Sequence, residues 1–235
     1  MKFRRKQPDP SLGAPDAIDP EQQDVATPDI ASAITEDQGR SDGPWDAGEV
    51  ASGARAATGI DLGGLIVTGK PGLELRLQVD EPTQAVAAAL LVGPEGAVEL
   101  RPFAAPRNGE IWDGIRRQIV AEAARRGGTA TETDGVYGKE LQLMVPSATP
   151  DGPTTPQPSR VVGIQGPRWL LRATFLGKPA VEPDPDGVIE SALREVVVVR
   201  GSDPMAPGEP LPLVMPASAK PLVPEESAQP DQPPD

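Results

Sequence analysis

Arg160-Val161-Val162-Gly163-Ile164-Gln165-Gly166-Pro167-Arg168-Trp169-Leu170-Leu171-Arg172-Ala173-Thr174-Phe175 decides where this chain folds. Apolar patterning resumes in it twice, over Val161–Gln165 and over Arg168–Phe175, around one of only three tryptophans. Strand alternation puts Trp169, Leu171, Ala173 and Phe175 on one face and Arg168 and Arg172 on the other. The other tryptophans lie in Gly43-Pro44-Trp45-Asp46 and in Phe103-Ala104-Ala105-Pro106-Arg107, which runs into Ile111-Trp112-Asp113. Trp45, Trp112 and Trp169 are therefore expected to anchor the core, Trp45 at its start.

Working outward, Leu73-Glu74-Leu75-Arg76-Leu77-Gln78-Val79 alternates strictly and reads as a half-buried antiparallel strand. Asp80-Glu81-Pro82 turns the chain into Ala85–Val92, an unbroken apolar run suited to a central strand, and Gly93-Pro94-Glu95-Gly96 makes the next turn. Ala97–Phe103 follows as a third strand of a meander, with Pro102 placing its end at an edge or bulge. Ile111, Ile115, Ile119 and Ala123 recur every fourth residue, so Glu110–Arg126 is expected to be an amphipathic helix packed across the sheet. Asn108 is its expected N-cap, Gly127-Gly128 its stop, and Gly114 a place of close backbone contact. A turn at Asp134-Gly135 leads to a strand through Leu141, Leu143 and Val145. Ser147–Ser159 reads as a surface loop, Val188–Arg194 as a short helix and Val196–Val199 as a closing strand. The fold expected is α+β: one domain, a mainly antiparallel sheet of seven or eight strands with two main helices packed on it.

Composition sets the limits of that domain. The chain has 235 residues, 30 prolines and a net charge of −13, of which residues 1–44 carry −4 and residues 203–235 carry −5. Residues 1–42 are expected to be a disordered acidic, Pro-rich tail, 43–202 the core domain with its 147–159 loop, and 203–235 a Pro-rich, largely disordered tail. The patch Leu211-Pro212-Leu213-Val214-Met215-Pro216 in that tail reads as linker, with docking along the domain or on a partner as the minority alternative. The absence of cysteine and histidine rules out disulfides, cysteine-based metal sites and Ser–His or Cys–His catalysis. Lys2, Arg4, Arg5 and Lys6 lead into Gln7-Pro8-Asp9-Pro10 rather than an apolar core, so no export signal is expected. No run approaches the roughly 20 apolar residues of a membrane span. The setting expected is cytoplasmic, the protein not integral to a membrane.

Gly64-Leu65-Ile66-Val67-Thr68-Gly69-Lys70 matches the spacing of a phosphate loop, but Pro71 takes the place of the magnesium-binding hydroxyl and a strand follows, so it reads as chance. Glu132/Asp134 and Asp184/Asp186 read as turns rather than calcium ligands. No cofactor, metal site or catalytic residue is expected. Arginine is the more suggestive signal: Arg101, Arg107, Arg168 and Arg172 sit in or beside strands, where their planar forks can hold a carboxylate or phosphate. Pairing with Glu74, Glu99 and Glu140 is the plainer reading. Arg107, Arg168 and Arg172 are the candidate ligand or partner contacts, and a pocket lined by them would separate the two.

Gly43-Pro44-Trp45-Asp46, Asp61-Leu62-Gly63-Gly64-Leu65, Phe103-Ala104-Ala105-Pro106-Arg107, Tyr137-Gly138-Lys139-Glu140-Leu141 and Gly166-Pro167-Arg168-Trp169-Leu170-Leu171-Arg172 together resemble the actinobacterial domain-of-unknown-function family 3710, over about residues 40 to 215. The resemblance implies a cytoplasmic protein with no assigned catalytic residues. It also implies gene neighbours encoding dUTP pyrophosphatase and an OB-fold protein. The leading expectation for function is a non-enzymatic interaction or adaptor domain for an unknown protein partner. The alternative is a protein or enzyme that binds a small anionic ligand, nucleotide or carboxylate, through the arginines. The third is a nucleic-acid-associated protein acting with an OB-fold partner, since the acidic balance disfavours direct nucleic-acid binding.

Overall fold

The computed structural model describes residues 42–50, 59–147, 154–217 and 219. Its strands are β1 (Trp45–Asp46), β2 (Gly59–Asp61), β3 (Leu65–Thr68), β4 (Glu74–Val79), β5 (Val86–Gly93), β6 (Gly96–Ala104), β7 (Thr129–Gly135), β8 (Gly138–Ser147), β9 (Thr155–Gly166), β10 (Trp169–Gly177) and β11 (Val197–Val198). Its helices are α1 (Trp112–Arg125), α2 (Lys178–Val181) and α3 (Val188–Arg194). The main sheet is antiparallel, in the order β4-β5-β6-β10-β9-β8-β7. The α+β reading holds. A second sheet of four short strands, β1-β11-β3-β2, was outside the expectation. The phosphate-loop match is the strand β3 with its flanks, and Lys70 Nζ is held by Ser191 Oγ and Glu195 Oε1 at 2.9 and 2.7 Å.

The period of two sorts the main sheet into two chemically different faces. Trp169, Leu171, Ala173 and Phe175 share a face with Val98, Leu100, Val162 and Ile164, and all are buried in the larger core under the small sheet and α3. Leu170, Val161 and Leu141 point to the other face, where α1 covers them with Trp112, Ile115, Ile119 and Val120. Trp169 Nε1 donates to Asp46 Oδ2 and Trp112 Nε1 to Lys139 O, each at 2.7 Å, so both buried indoles have acceptors. Trp45, half-buried, lies in β1. Gly163 lies under Trp112, where a methyl group would overlap the indole ring.

Several local expectations change. Pro102 lies in an inner strand, between β5 and β10, yet its ladder is intact: β5 pairs β6 only as far as Leu100, and Pro102 O accepts Leu211 N–H on that vacated side. The β7–β8 hairpin turns at Val136-Tyr137, with Asp134 and Gly135 still in the ladder. β9 begins at Thr155, four residues before the expected end of the loop. Helix α1 starts at Trp112 with Ile111 as N-cap and no side-chain cap, so Asn108 does not cap it. Its end is as expected: Gly127 takes φ +73°, and Gly128 and Gly127 N–H reach Ala123 and Ala124 carbonyls.

Gly114 has nothing within 4 Å of the place a β-carbon would occupy, so it makes no close contact. Gly114→Ala is therefore expected to raise stability by about 0.5–1 kcal/mol through lower unfolded-state entropy. Denaturant unfolding checks this, and a loss of stability would show that the glycine is needed where it stands.

The largest departure is the chain after Ser202. Composition places it in a tail, but residues 203–217 are described, and Leu211 and Leu213 are 3% and 8% exposed. The segment takes β5's vacated place along the end of β6: Gly208 N–H donates to Ala104 O, Ala104 N–H to Glu209 O and Leu211 N–H to Pro102 O. It then crosses to the small-sheet side, where Gly64 N–H donates to Pro212 O and Val214 N–H to Leu62 O. Leucines spaced by two in an extended, proline-rich segment can both point inward, which is how a strap of this composition joins a core. The expected tails 1–41 and 220–235 lie outside the described residues.

Candidate functional site

Helix α1 packs on β7 and β8, at one end of the main sheet. Trp112 at the start of the helix also covers Leu170 of β10, while Arg172 and Thr174 of β10 and Glu99 and Arg101 of β6, on the same face, stay partly exposed beside the helix. Arg116, buried on α1, fixes the helix there by pairing with Asp113 one turn back and with Glu132 of β7 at 2.7 Å. Beneath and beside the helix run two clefts, of about 580 and 600 Å³. Ile119, Leu143, Val145 and Leu176 wall the first; Phe103, Ile111, Pro207 and Gly208 wall the second. Ile115, Gln118 and Arg172 line both, so the two form one groove with Arg172 at the join.

Arg172 is positioned by strand alternation, opposite Leu171, and its guanidinium lies 5.4 Å from the Phe103 ring centroid. Burial, then the nearby Arg101 charge, hold its pKa below the usual arginine range, against the opposing pull of Glu99. The other two nominated arginines are elsewhere. Arg168 is in the two-residue β9–β10 turn at φ +60°, where strand alternation does not extend, and its Nη2 donates to Gly201 O at 2.8 Å. Its own carbonyl accepts Ala105 N–H and Arg200 Nε–H, so it rivets the end of the domain to the turn. Arg107 is exposed after β6 and makes no hydrogen bond or ion pair among the described residues. The residue that joins Arg172 is Arg101.

The densest buried charge was missed by sequence reasoning. Arg160, 2% exposed, pairs with Glu140 of β8 at 3.2 Å and with Glu190 of α3, donates to Pro179 O at 3.3 Å, and stacks 3.9 Å from the Phe175 ring centroid. Tyr137 donates its hydroxyl to Glu190 at 3.1 Å, and burial together with that carboxylate pushes its pKa up. Two buried carboxylates, one buried guanidinium and a half-buried phenol make a clamp between α3 and the sheet. The signal was parity: Arg160 shares its phase with Val162 and Ile164, but starting the strand at Val161 left it outside. Among the described residues no group of three acidic, histidine or cysteine side chains could hold a metal ion. No helix there is long and apolar enough to cross a membrane.

A family model described as "Protein of unknown function (DUF3710)" matches residues 43–221. No curated protein matches the chain.

Proposed function

Because the chain belongs to the DUF3710 family, whose description assigns no activity, we propose a function from the groove itself: the domain is a non-enzymatic interaction module, and the α1 groove holds a segment of a protein partner. The observation that carries this is the open groove along α1, whose two clefts share Ile115, Gln118 and Arg172. Its walls mix Ile115, Ile119, Leu143 and Phe103 with Arg172, Gln118 and charged side chains of α1 such as Asp113 and Glu122, apolar contact area among polar groups as protein recognition uses. Shallow and open along the helix, it suits a chain segment better than an engulfed metabolite. The cysteine-free composition favours no compartment by itself, and the cytoplasm is the setting proposed.

Affinity capture of the endogenous protein, with proteins and small molecules both identified, tests this. A stoichiometric protein is expected with the natural chain. It should be lost with Gln118→Trp, which fills the groove from an exposed helix position without touching the core. Recovery of a stoichiometric metabolite and no protein would sink the proposal, as would a partner held equally well by Gln118→Trp at unchanged melting temperature.

A further inference from the structure

Two arginines stand directly opposite each other in the main sheet: Arg172 of β10 and Arg101 of β6 are register partners. Like charges in that relation repel, and opposite charges are the stabilising pairing. One carboxylate, Glu99, serves both. Its Oε1 is taken by Arg101 Nε at 2.7 Å, and Arg101 also donates to Gln78 at 3.1 Å. Arg172 Nη2 stands 3.9 Å from the same oxygen, beyond hydrogen-bond reach. Arg172 thus donates no hydrogen bond among the described residues, although its side chain is only 22% exposed. A planar fork of N–H donors, half withdrawn from water and facing a groove, lacks its acceptor.

We infer that Arg172, with Arg101 beside it, is the seat for a carboxylate on an extended acidic-apolar segment of a partner protein. This rests on the groove being a partner site. The pair of guanidiniums against one carboxylate leaves a single unbalanced positive charge, which one Asp or Glu side chain neutralises by bidentate hydrogen bonding. A nucleic-acid backbone would instead bring a run of charges against a chain of net charge −13. In one direction from the seat the groove turns apolar, toward Ile119, Leu143 and Leu176, and in the other it mixes Phe103 and Ile111 with Glu110, Asp113 and Arg117. The occupant therefore carries apolar side chains beside its acid, on the side that meets Ile119 and Leu143.

The test uses the full chain and fluorescence anisotropy with an acetylated, amidated octapeptide alternating Glu and Val, its Gln/Val counterpart, and a single-stranded oligothymidylate. The Glu peptide is expected to bind at least about tenfold more tightly than the Gln peptide, the effect of a charge-assisted bidentate contact. Arg172→Met should abolish that preference while leaving the melting temperature unchanged or higher, because it removes the repulsion with Arg101. Arg172→Lys should restore only part of the preference, since a lysine has no fork. Equal binding of the two peptides, no binding of either up to millimolar concentration, or a preference that survives Arg172→Met overturns the seat. Tighter, Arg172-dependent binding of oligothymidylate overturns it in favour of phosphate. A partner captured by the natural chain and equally by Arg172→Met would remove the carboxylate seat while leaving the groove as the interaction site.

Discussion

Replacing Arg160 with methionine is expected to lower the folding free energy by about 3–5 kcal/mol, the penalty for removing one partner from a buried ion-pair cluster. Methionine keeps much of the packing against Phe175, so the loss reports charge rather than volume. What remains is two carboxylates, Glu140 and Glu190, 3% and 4% exposed, with no cation between them. The Tyr137 hydroxyl still donates to Glu190 and the Tyr137 amide to Glu140. Urea unfolding at neutral pH measures the effect.

The pH dependence of the same variant is a sharper check. Without the guanidinium, two buried carboxylates share one enclosure with no cation, and protonating either one relieves the burial of like charge. The folded state then binds more protons than the unfolded state, so stability rises as pH falls from neutrality. The deficit of Arg160→Met relative to the natural chain should therefore shrink between about pH 7 and pH 5. Adding Glu140→Gln and Glu190→Gln should recover most of the loss at pH 7. A deficit below about 1 kcal/mol, or one that does not change with pH, would show that the cluster is solvated and holds little.

The second large effect lies in the strap. Leu211→Ala and Leu213→Ala are each expected to cost about 2–4 kcal/mol, the range for deleting a buried leucine and leaving its cavity. Both side chains belong to the larger core, and the backbone around them hydrogen-bonds to β6 and to the β2–β3 connection. Val214 and Met215, 52% and 55% exposed, are the internal controls. Their alanine variants should fall within about 0.5 kcal/mol of the natural chain. Thermal and urea unfolding of the four variants decides it, and four similar small values would mean that the strap is not part of the cooperative unit.

Long alternating or periodic runs were legible because they carry their own evidence. Leu73–Val79 could only bury one face as a strand, and the isoleucines of α1 could only meet as a helical stripe. Val188–Arg194 is the helix expected, to the residue. Short or irregular pieces were not legible. β1 has two residues and exists because it pairs with β11, a partnership no local pattern can announce, whereas β11 itself lies within the expected closing strand Val196–Val199. Pro102 reads as an edge signal, and the tertiary structure satisfies it differently, by ending β5 early and bringing in the strap.

The candidate site was half legible for the same reason. Strand parity put Arg172 opposite the core, and that is where it stands. It could not say that Arg168 leaves the strand for a turn, nor that Arg101 arrives as the cross-strand neighbour, because register is a property of two strands and not of either one.

From the chain alone follow the α+β class, the two chemistries of the Trp169–Phe175 strand and the exclusion of cysteine and histidine chemistry, all properties of composition and local periodicity. Only the tertiary structure decided which charges meet. It enclosed Arg160 between Glu140 and Glu190, set Arg172 against Arg101 with a shared glutamate and an open groove, and drew Leu211 and Leu213 out of a proline-rich stretch into the core. Each of these depends on segments far apart in the chain, and their free energy comes from burial and register that no single segment possesses.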